Sequence, residues 1–589
     1  MSSTLLSGNE AVARGAWEAG ASVGIGYPGT PSTQALEVFA RMEGVYAEWA
    51  PNEKVALEVA AGASMGGARA FVTMKHVGMN VAADPLFTLA YTGVGAGLVV
   101  FVADDPGMHS SQNEQDSRNW GPFARVPVLE PADSSEAREF TRAAFEMSEH
   151  FDIPVIVRST TRLSHSKGVV EVTRDRISTE PREYLKDIGK WVMMPAMARA
   201  RRRSLDERLR QMSEFVEDSQ LNRIEMRDST LGIVTSGVCY QYVREALPDA
   251  SVFKLGISFP LPEEALAAFA AQVDRLVVVE EADAYLASHL RSLGLDPEPV
   301  GLQPVGLPAA GELSPGIIAR ALGAEAPATR DSVSGLPPRP PLMCPGCPHR
   351  GAYNALRKVK AIVTGDIGCY TLGALAPLAS MDSCVCMGAS VGMAHGMRLA
   401  GQGSDRPVAA VIGDSTFAHS GVTGLIDLAY NGSDALVCIL DNRITAMTGH
   451  QQNPVSGMTL QGRPTTEIDL EALCRSVGVR RVRTVDPHDL AAAEQAVREE
   501  VAADELSVII FRAPCALLIK EKEQPYAVDE ESCTACGLCI RLGCPAISTG
   551  EDGKARIDAM ICVGCGDCVQ VCRFSAIELT GPACDIGGV

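Results

Sequence analysis

Residues 407–442 read PVAAVIGDSTFAHSGVTGLIDLAYNGSDALVCILDN. An apolar run ends at Gly413-Asp414-Ser415, a helix-like stretch follows, and a second apolar run ends at Asp441-Asn442. Two short apolar runs flanking a helix predict a β-α-β unit and therefore a parallel sheet. Such sheets bind ligands beyond the carboxyl ends of their strands. That rule puts Asp414 and Asn442, 28 positions apart, at one site. An Asp carboxylate, an Asn amide oxygen and a nearby carbonyl are hard oxygen donors suited to Mg²⁺, which completes its shell with phosphate oxygens.

The same alternation extends in both directions. KAIVTGDIG and LSVIIFRAP flank the first stretch, so residues 342–525 read as one α/β domain. A proline-rich break, GLPPRPPLMCPGCP, precedes it and marks a linker. Residues 1–170 alternate apolar runs such as SVGIGYPGTP and AGLVVFVADDPG with Gly/Ala-rich helical stretches, and form a second α/β domain. Residues 171–225 are charged, lack strand-like runs and read as a helical connector. TLGIVTSG and DRLVVVEEAD make residues 226–335 a further α/β domain.

The tail, 526–589, carries a duplicated cysteine pattern. The first set is Cys533, Cys536, Cys539 and Cys544, and the second is Cys562, Cys565, Cys568 and Cys572. A CxxCxxC run brings three thiolates to one iron–sulfur cube, and the fourth ligand comes from the other run. The expectation is one [4Fe–4S] cluster on Cys533, Cys536, Cys539 and Cys572, and another on Cys562, Cys565, Cys568 and Cys544. AIST and AIEL follow the two sets at matching positions, as in a duplicated βαβ unit. Two details are irregular: four residues, rather than the usual three, precede Cys544, and Arg573 stands where proline is usual. Structural zinc is the alternative occupant. Cys584 has no partner in the pattern and reads as an ordinary thiol.

Bulk properties narrow the function class. At 589 residues the chain exceeds one core. A formal net charge of −20 argues against a nucleic-acid partner. The one basic run, Arg199 to Arg203, reads as a solvated helix face beside Asp206 and Glu207. No stretch reaches the roughly 20 apolar residues of a membrane span. MSSTLLSGNE lacks a basic region followed by an apolar one, so no secretory leader is expected. Eighteen cysteines without that leader indicate metal or redox chemistry in a reducing cytoplasm rather than disulfides.

The GD…N spacing resembles the thiamine diphosphate motif, with Ser415 in place of its usual glycine and Asp441 in place of the first of its paired asparagines. Thiamine enzymes also need a carboxylate against the aminopyrimidine, commonly in the pattern E-x6-A-x-G. Glu53, Ala60 and Gly62 fit that pattern, and Glu58 is the rival glutamate. Tyr27-Pro28-Gly29-Thr30-Pro31-Ser32 resembles the YPxTPS segment of 2-oxoacid:ferredoxin oxidoreductases, whose threonine faces the 2-oxo acid. With NEKVALEVAAGAS, MKHVGMNVAADP, CPGCPHR, GDIGCYTLG and the two-cluster tail, the whole chain resembles the large subunit of the indolepyruvate:ferredoxin oxidoreductase family.

The resemblance implies the following expectations. Residues 1–170 bind the aminopyrimidine and 342–525 the diphosphate with Mg²⁺; 226–335 is transketolase C-terminal-like, and 526–589 is a bacterial-type 2[4Fe–4S] ferredoxin domain. Glu53, Thr30, Lys75 and His76, with Gly78 and Asn80, approach substrate and cofactor, and Arg118 anchors the substrate carboxylate. Gly413, Asp414, Ser415 and Asn442 hold the diphosphate and metal. Cys344, Cys347 and His349 lie near the cofactor or form half of a zinc site, and Asp366 and Cys369 line the same pocket. The roles of Cys369, Cys384 and Cys386 stay open. The implied reaction is oxidative decarboxylation of aryl pyruvates with coenzyme A, reducing ferredoxin. The implied partners are a separate beta subunit, a second alpha subunit and ferredoxin. Alternatives are a related enzyme acting on pyruvate, branched-chain or arylglyoxylate substrates, or a non-catalytic electron-transfer subunit.

Overall fold

The computed structural model describes residues 2–172, 175–178, 184–298, 307–308, 310–326, 335–337 and 339–580. Cys584 lies outside them. The chain divides into two compact units, Met1–Ser332 and Val333–Val589.

The first unit is built on a seven-stranded sheet. From one edge its order is Ile257–Phe259, Val128–Leu129, Val155–Thr160, Leu98–Asp104, Ala70–Lys75, Val23–Gly26 and Tyr46–Trp49. All neighbours run parallel except Ile257–Phe259, which is antiparallel to Val128–Leu129. Every residue of Ala70–Lys75, Leu98–Asp104 and Val155–Thr160 is buried, as expected of parallel strands covered on both faces. The strands Ser2–Ser7 and Lys167–Val172 pair antiparallel beside it. A second sheet orders Leu276–Val279, Asp228–Ser236, Ala250–Leu255 and Arg223–Glu225, the last antiparallel.

Two expectations change here. The connector is not wholly helical. Its helix Pro195–Glu217 is bounded by strand residues up to Val172 and by the edge strand Arg223–Glu225. The short runs KGVVEV and RIE gain ladder partners only from distant strands, a tertiary effect that local pattern does not carry. The basic face of that helix is only partly solvated. Arg199 and Arg203 are exposed, but Arg201 donates to the carbonyls of Tyr91 and Thr92 and to Asp152.

The second unit holds a fully parallel six-stranded sheet, ordered Ser383–Cys384, Ile362–Gly365, Val408–Gly413, Leu436–Asp441, Ser507–Arg512 and Arg481–Val485. Successive side chains alternate between two cores. Val411, Cys438, Leu440 and Ile509 pack with Tyr353 and Leu356 on one face. Ile412, Val437, Ile439 and Ile510 pack with Val391 and Leu425 on the other.

The tail packs on this sheet domain around a small core that includes Leu490. Its strands Ile547–Thr549 and Ile577–Leu579 occupy the matching positions, but each pairs antiparallel, with Ala555–Ile557 and Tyr526–Val528 respectively. The duplicated unit is therefore not a parallel βαβ. Between Ile547–Thr549 and Ala555–Ile557 the short turn at 550–554 allows only antiparallel return.

Candidate active site

In the second unit, two neighbouring strands deliver the acidic pair. Gly413 is in register with Leu440, so Asp414 and Asp441 leave the sheet at the same level. They are 2% and 1% exposed. Asp414 Oδ1 accepts from the Ser415 N–H at 2.7 Å, and Asp441 Oδ2 accepts from Arg512 Nε at 2.7 Å. The other oxygen of each, Asp414 Oδ2 and Asp441 Oδ1, is buried without a hydrogen bond of ordinary geometry. Burial and then the Asp441 charge push the Asp414 carboxyl up to about 7, although the Asn453 amide and the Arg443 N–H lie close enough to favour its ionised form. Two crowded, desolvated carboxylate oxygens are a donor set that suits a hard divalent cation. Asn442 Oδ1 accepts from Ile444 N–H at 3.2 Å. The Ser415 hydroxyl accepts from Thr445 Oγ1 at 2.9 Å.

His349 stands beside this pair. Its Nε2 is 3.4 Å from Asn442 Nδ2, and its ring meets Tyr370 edge-on at 5.8 Å. Burial lowers its pKa to about 4, so the imidazole is neutral and Nε2 accepts.

Asp366 is placed differently from expectation. Its Oδ1 accepts from the N–H groups of Ile367 and Gly388, and its Oδ2 from Ser390. The carboxylate caps the turn leading into the helix Ala389–Leu399 instead of facing a ligand.

Cys369 does have company. Cys344 and Cys347 precede the helix His349–Lys358, Cys369 opens the turn after strand Ile362–Gly365, and Cys515 follows strand Ser507–Arg512. The four thiols interact electrostatically. Burial, then Cys515 and Cys344, raise Cys369 to about 11. Burial raises Cys347 to about 12, with Cys369 and Cys344 adding to it. Burial and Cys344 also raise Cys515. The Cys515 N–H donates to the Asn442 carbonyl at 3.0 Å, which ties this group to the acidic strand ends. Four thiols brought together in this way are a soft donor set for iron or zinc, and a cation there reverses the burial penalty on Cys347, Cys369 and Cys515. Reading the sequence missed Cys515, which sits in APCALL with no second cysteine nearby. Cys384 and Cys386 are exposed.

In the tail, one cavity is lined by Cys533, Cys536, Cys539 and Cys572. A second is lined by Cys544, Cys562, Cys565 and Cys568. The fold thus brings the cysteines together in the crossed grouping. The extra residue before Cys544 is taken up by a 3₁₀ turn, Ile540–Leu542, closed by Gly543 at φ +69°, a conformation glycine adopts without strain.

In the first unit, Thr30, Lys75 and His76 follow the carboxyl ends of adjacent strands, and Glu53 follows the end of the edge strand Tyr46–Trp49. Glu53 opens the helix Glu53–Met65 behind the Asn52 cap and is 5% exposed. A Cβ on Gly78 would lie 2.4 Å from Glu53 Oε1, so any larger residue there would have to displace the Glu53 carboxylate. Glu58 is exposed and paired with Lys54. Lys75 Nζ donates to the Ser110 carbonyl at 2.7 Å, and Ser110 Oγ donates to the Thr30 carbonyl at 3.3 Å. Burial lowers Lys75 to about 8, opposed by Asp105. His76 Nε2 is 3.2 Å from the Asn113 carbonyl, and its buried Nδ1 has no partner. Asn80 is exposed.

Arg118 is not a substrate anchor in this structure. It is 1% exposed. Its Nε donates to Asp116, its Nη1 to Glu280 at 2.8 Å, and its Nη2 to the carbonyls of Glu281 and Asp283. All three nitrogens are committed to a buried ion network that also contains Arg158, Asp104 and Glu130.

These sites fall within matched families. Residues 14–202 match the sequence model described as pyruvate flavodoxin/ferredoxin oxidoreductase, thiamine diP-bdg. Residues 366–511 match thiamine pyrophosphate enzyme, C-terminal TPP binding domain, and 555–578 match 4Fe-4S binding domain. Together they define an oxidoreductase of the 2-oxoacid:ferredoxin class that uses thiamine diphosphate and iron–sulfur clusters. The chain is 40% identical over 611 residues to the indolepyruvate oxidoreductase subunit IorA of Archaeoglobus fulgidus, covering 97% of each chain. It is 40% identical to the IorA subunit of Methanothermobacter marburgensis, covering 98% of this chain and 97% of that one. The protein belongs to the indolepyruvate oxidoreductase IorA family. Among solved structures, 2-oxoglutarate:ferredoxin oxidoreductase from Magnetococcus marinus aligns at 18% identity and TM-score 0.46, over 55% of this chain and 65% of that one. Among the described residues no helix is long and apolar enough to cross a membrane.

Proposed function

We propose that this chain is the catalytic subunit of an enzyme that oxidatively decarboxylates aryl pyruvates, indolepyruvate among them. A 2-oxo acid anion and coenzyme A give an acyl-CoA, CO₂ and one proton, and two electrons leave singly to two molecules of ferredoxin. The observation that carries this reading is the pair of buried oxygens on Asp414 and Asp441 without a hydrogen bond of ordinary geometry, in the same unit as three groups of four cysteines. Thiamine diphosphate, when bound, supplies the electron sink for loss of CO₂.

The residues divide the remaining tasks. Asp414 and Asn442, with the free Asp441 oxygen beside Asp414, would hold Mg²⁺ for the diphosphate. Glu53 holds a proton against the aminopyrimidine. Neutral His76 offers its free Nδ1 to the substrate, and Thr30 orients it. Lys75 replaces Arg118 as the cation for the substrate carboxylate, because Arg118 is already committed. Cys344, Cys347, Cys369 and Cys515 hold a third [4Fe–4S] cluster nearest the diphosphate strands, and the two tail clusters continue the path outward. A separate beta subunit and a second copy of this chain complete the assembly, in the cytoplasm.

The test is cofactor analysis of the complex purified with its second subunit, then CO₂ release and dye reduction across a keto-acid panel. Thiamine diphosphate, Mg²⁺ and about 12 iron atoms per chain are expected, against about 8 if only the tail is loaded. Cys515→Ser should remove about 4 of them. Faster turnover of pyruvate than of indolepyruvate would refute the aryl preference. Loaded clusters without thiamine diphosphate binding would leave an electron-transfer subunit.

A further inference from the structure

Arg350 lies in the helix His349–Lys358, three residues after Cys347, and is 1% exposed. Its Nη1 donates to the Cys344 carbonyl at 2.7 Å. Its Nη2 donates to the carbonyls of Met343 at 2.7 Å and Gly543 at 3.2 Å. One side chain therefore spans the loop of the first thiol group and the residue before Cys544. Arg350 also forms part of the wall of the cavity lined by Cys544, Cys562, Cys565 and Cys568. Its Nε is buried and has no hydrogen-bond partner. Among the described residues no carboxylate lies within ion-pair distance of it, and the nearby buried acid, Asp567, is paired with His488 at 2.8 Å.

A buried guanidinium held only by carbonyls is costly unless an anion joins it. Four thiolates around an iron–sulfur cube are such an anion, and each electron accepted adds one negative charge. Hydrogen bonds to the sulfurs and local charge set the potentials of these clusters.

We propose that Arg350 is a positioning residue for electron transfer. Its Nε–H donates to a sulfur of the cluster on Cys544, Cys562, Cys565 and Cys568, and its charge raises the potential of that cluster. The electron arriving from the Cys344 side is thereby stabilised where it must land. The proposal rests on the reading that these cysteines hold a cluster.

The test uses the holoenzyme with its second subunit. Arg350→Gln and Arg350→Lys are compared with wild type by EPR-monitored redox titration, with iron content measured on the same samples. With iron retained, Arg350→Gln should lower the reduced-to-oxidised ratio of this cluster at fixed potential about tenfold, a shift of about 59 mV for one electron. Arg350→Lys, which keeps charge but not the fork, should shift it less. The cluster on Cys533, Cys536, Cys539 and Cys572, whose cavity Arg350 does not line, should stay unchanged. Unchanged potentials in both variants would overturn the proposal. If the variants lose iron, wild-type enzyme labelled with ¹⁵N-arginine decides. A ¹⁵N coupling to the reduced cluster is expected in pulsed EPR, and its absence overturns the proposal. If Cys565→Ser leaves both iron content and the spectrum of wild type unaltered, the underlying cluster reading fails instead.

Discussion

Asp414 and Asp441 leave adjacent parallel strands at one level, and each buries an oxygen that no group of ordinary hydrogen-bond geometry satisfies. The Asp414 arrangement is unfavourable in a metal-free protein, because burial and the facing Asp441 charge both oppose its ionisation. Asp414→Asn should therefore melt no lower than wild type when both are stripped of metal. It should also lose the response to ligand. Wild type should gain about 2.7 kcal/mol with Mg²⁺ and thiamine diphosphate at a hundred times Kd, and Asp414→Asn almost none. Differential scanning calorimetry with and without both ligands reads both arms.

Glu53 and Glu58 differ by one and a half helical turns but not in the same environment: one is buried against Gly78, the other exposed beside Lys54. Glu53→Gln should lower kcat by at least about 100-fold, the lower end for a positioned acid–base group. Glu58→Gln should stay within about twofold, since an exposed pair contributes little. Gly78→Ala should imitate the first by displacing the carboxylate. Steady-state kinetics on saturating substrate distinguishes the three.

Lys75 carries its charge only below about 8, because burial outweighs the attraction of Asp105. If it binds the substrate carboxylate, KM should rise as pH passes upward through 8 while kcat changes little. Lys75→Met should have a high KM at every pH and lose that limb. The stability effect has the opposite sign. Since the folded pKa is below the unfolded one, the charged form destabilises the fold at low pH, and stability should rise between about 8 and 10.5 as the proton is lost.

Arg118 should behave as a structural residue. Arg118→Met leaves Asp116, Glu130 and Glu280 as buried charges without their shared cation. Losing one partner of such a network typically costs about 3–5 kcal/mol. Chemical denaturation should show that loss, and KM for the 2-oxo acid in the folded fraction should be unchanged.

Much of this is legible in the sequence alone, and what is not shares a cause. Asp414 and Asn442 are local: strand, turn and ligand lie in one continuous stretch, so spacing alone places them. The tail cysteines repeat a pattern, so their crossed grouping follows from chemistry. Arg118 looked available because Glu280, its partner, is 162 positions away. Asp366 looked like a ligand because the N–H groups it caps belong to residues 388 and 390. Cys515 carries no local pattern at all; only the parallel order of the sheet brings it to Cys344 and Cys369. Antiparallel pairing in the tail was hidden because alternation fixes the face of a strand, not its direction.

The seam between the tail and the sheet domain has one last consequence. His488 bonds Asp567, Gln570 bonds both the carbonyl of His488 and the N–H of Leu490, and the Arg357 guanidinium holds the Arg541 carbonyl. Leu490 itself fills the core of the tail. A segment anchored this way cannot be lifted out and replaced by a freely tethered ferredoxin without trading fixed tunnelling distances for diffusional search. Inheritance of the tail is thus bound to the surface beneath it, and the two should change together or not at all.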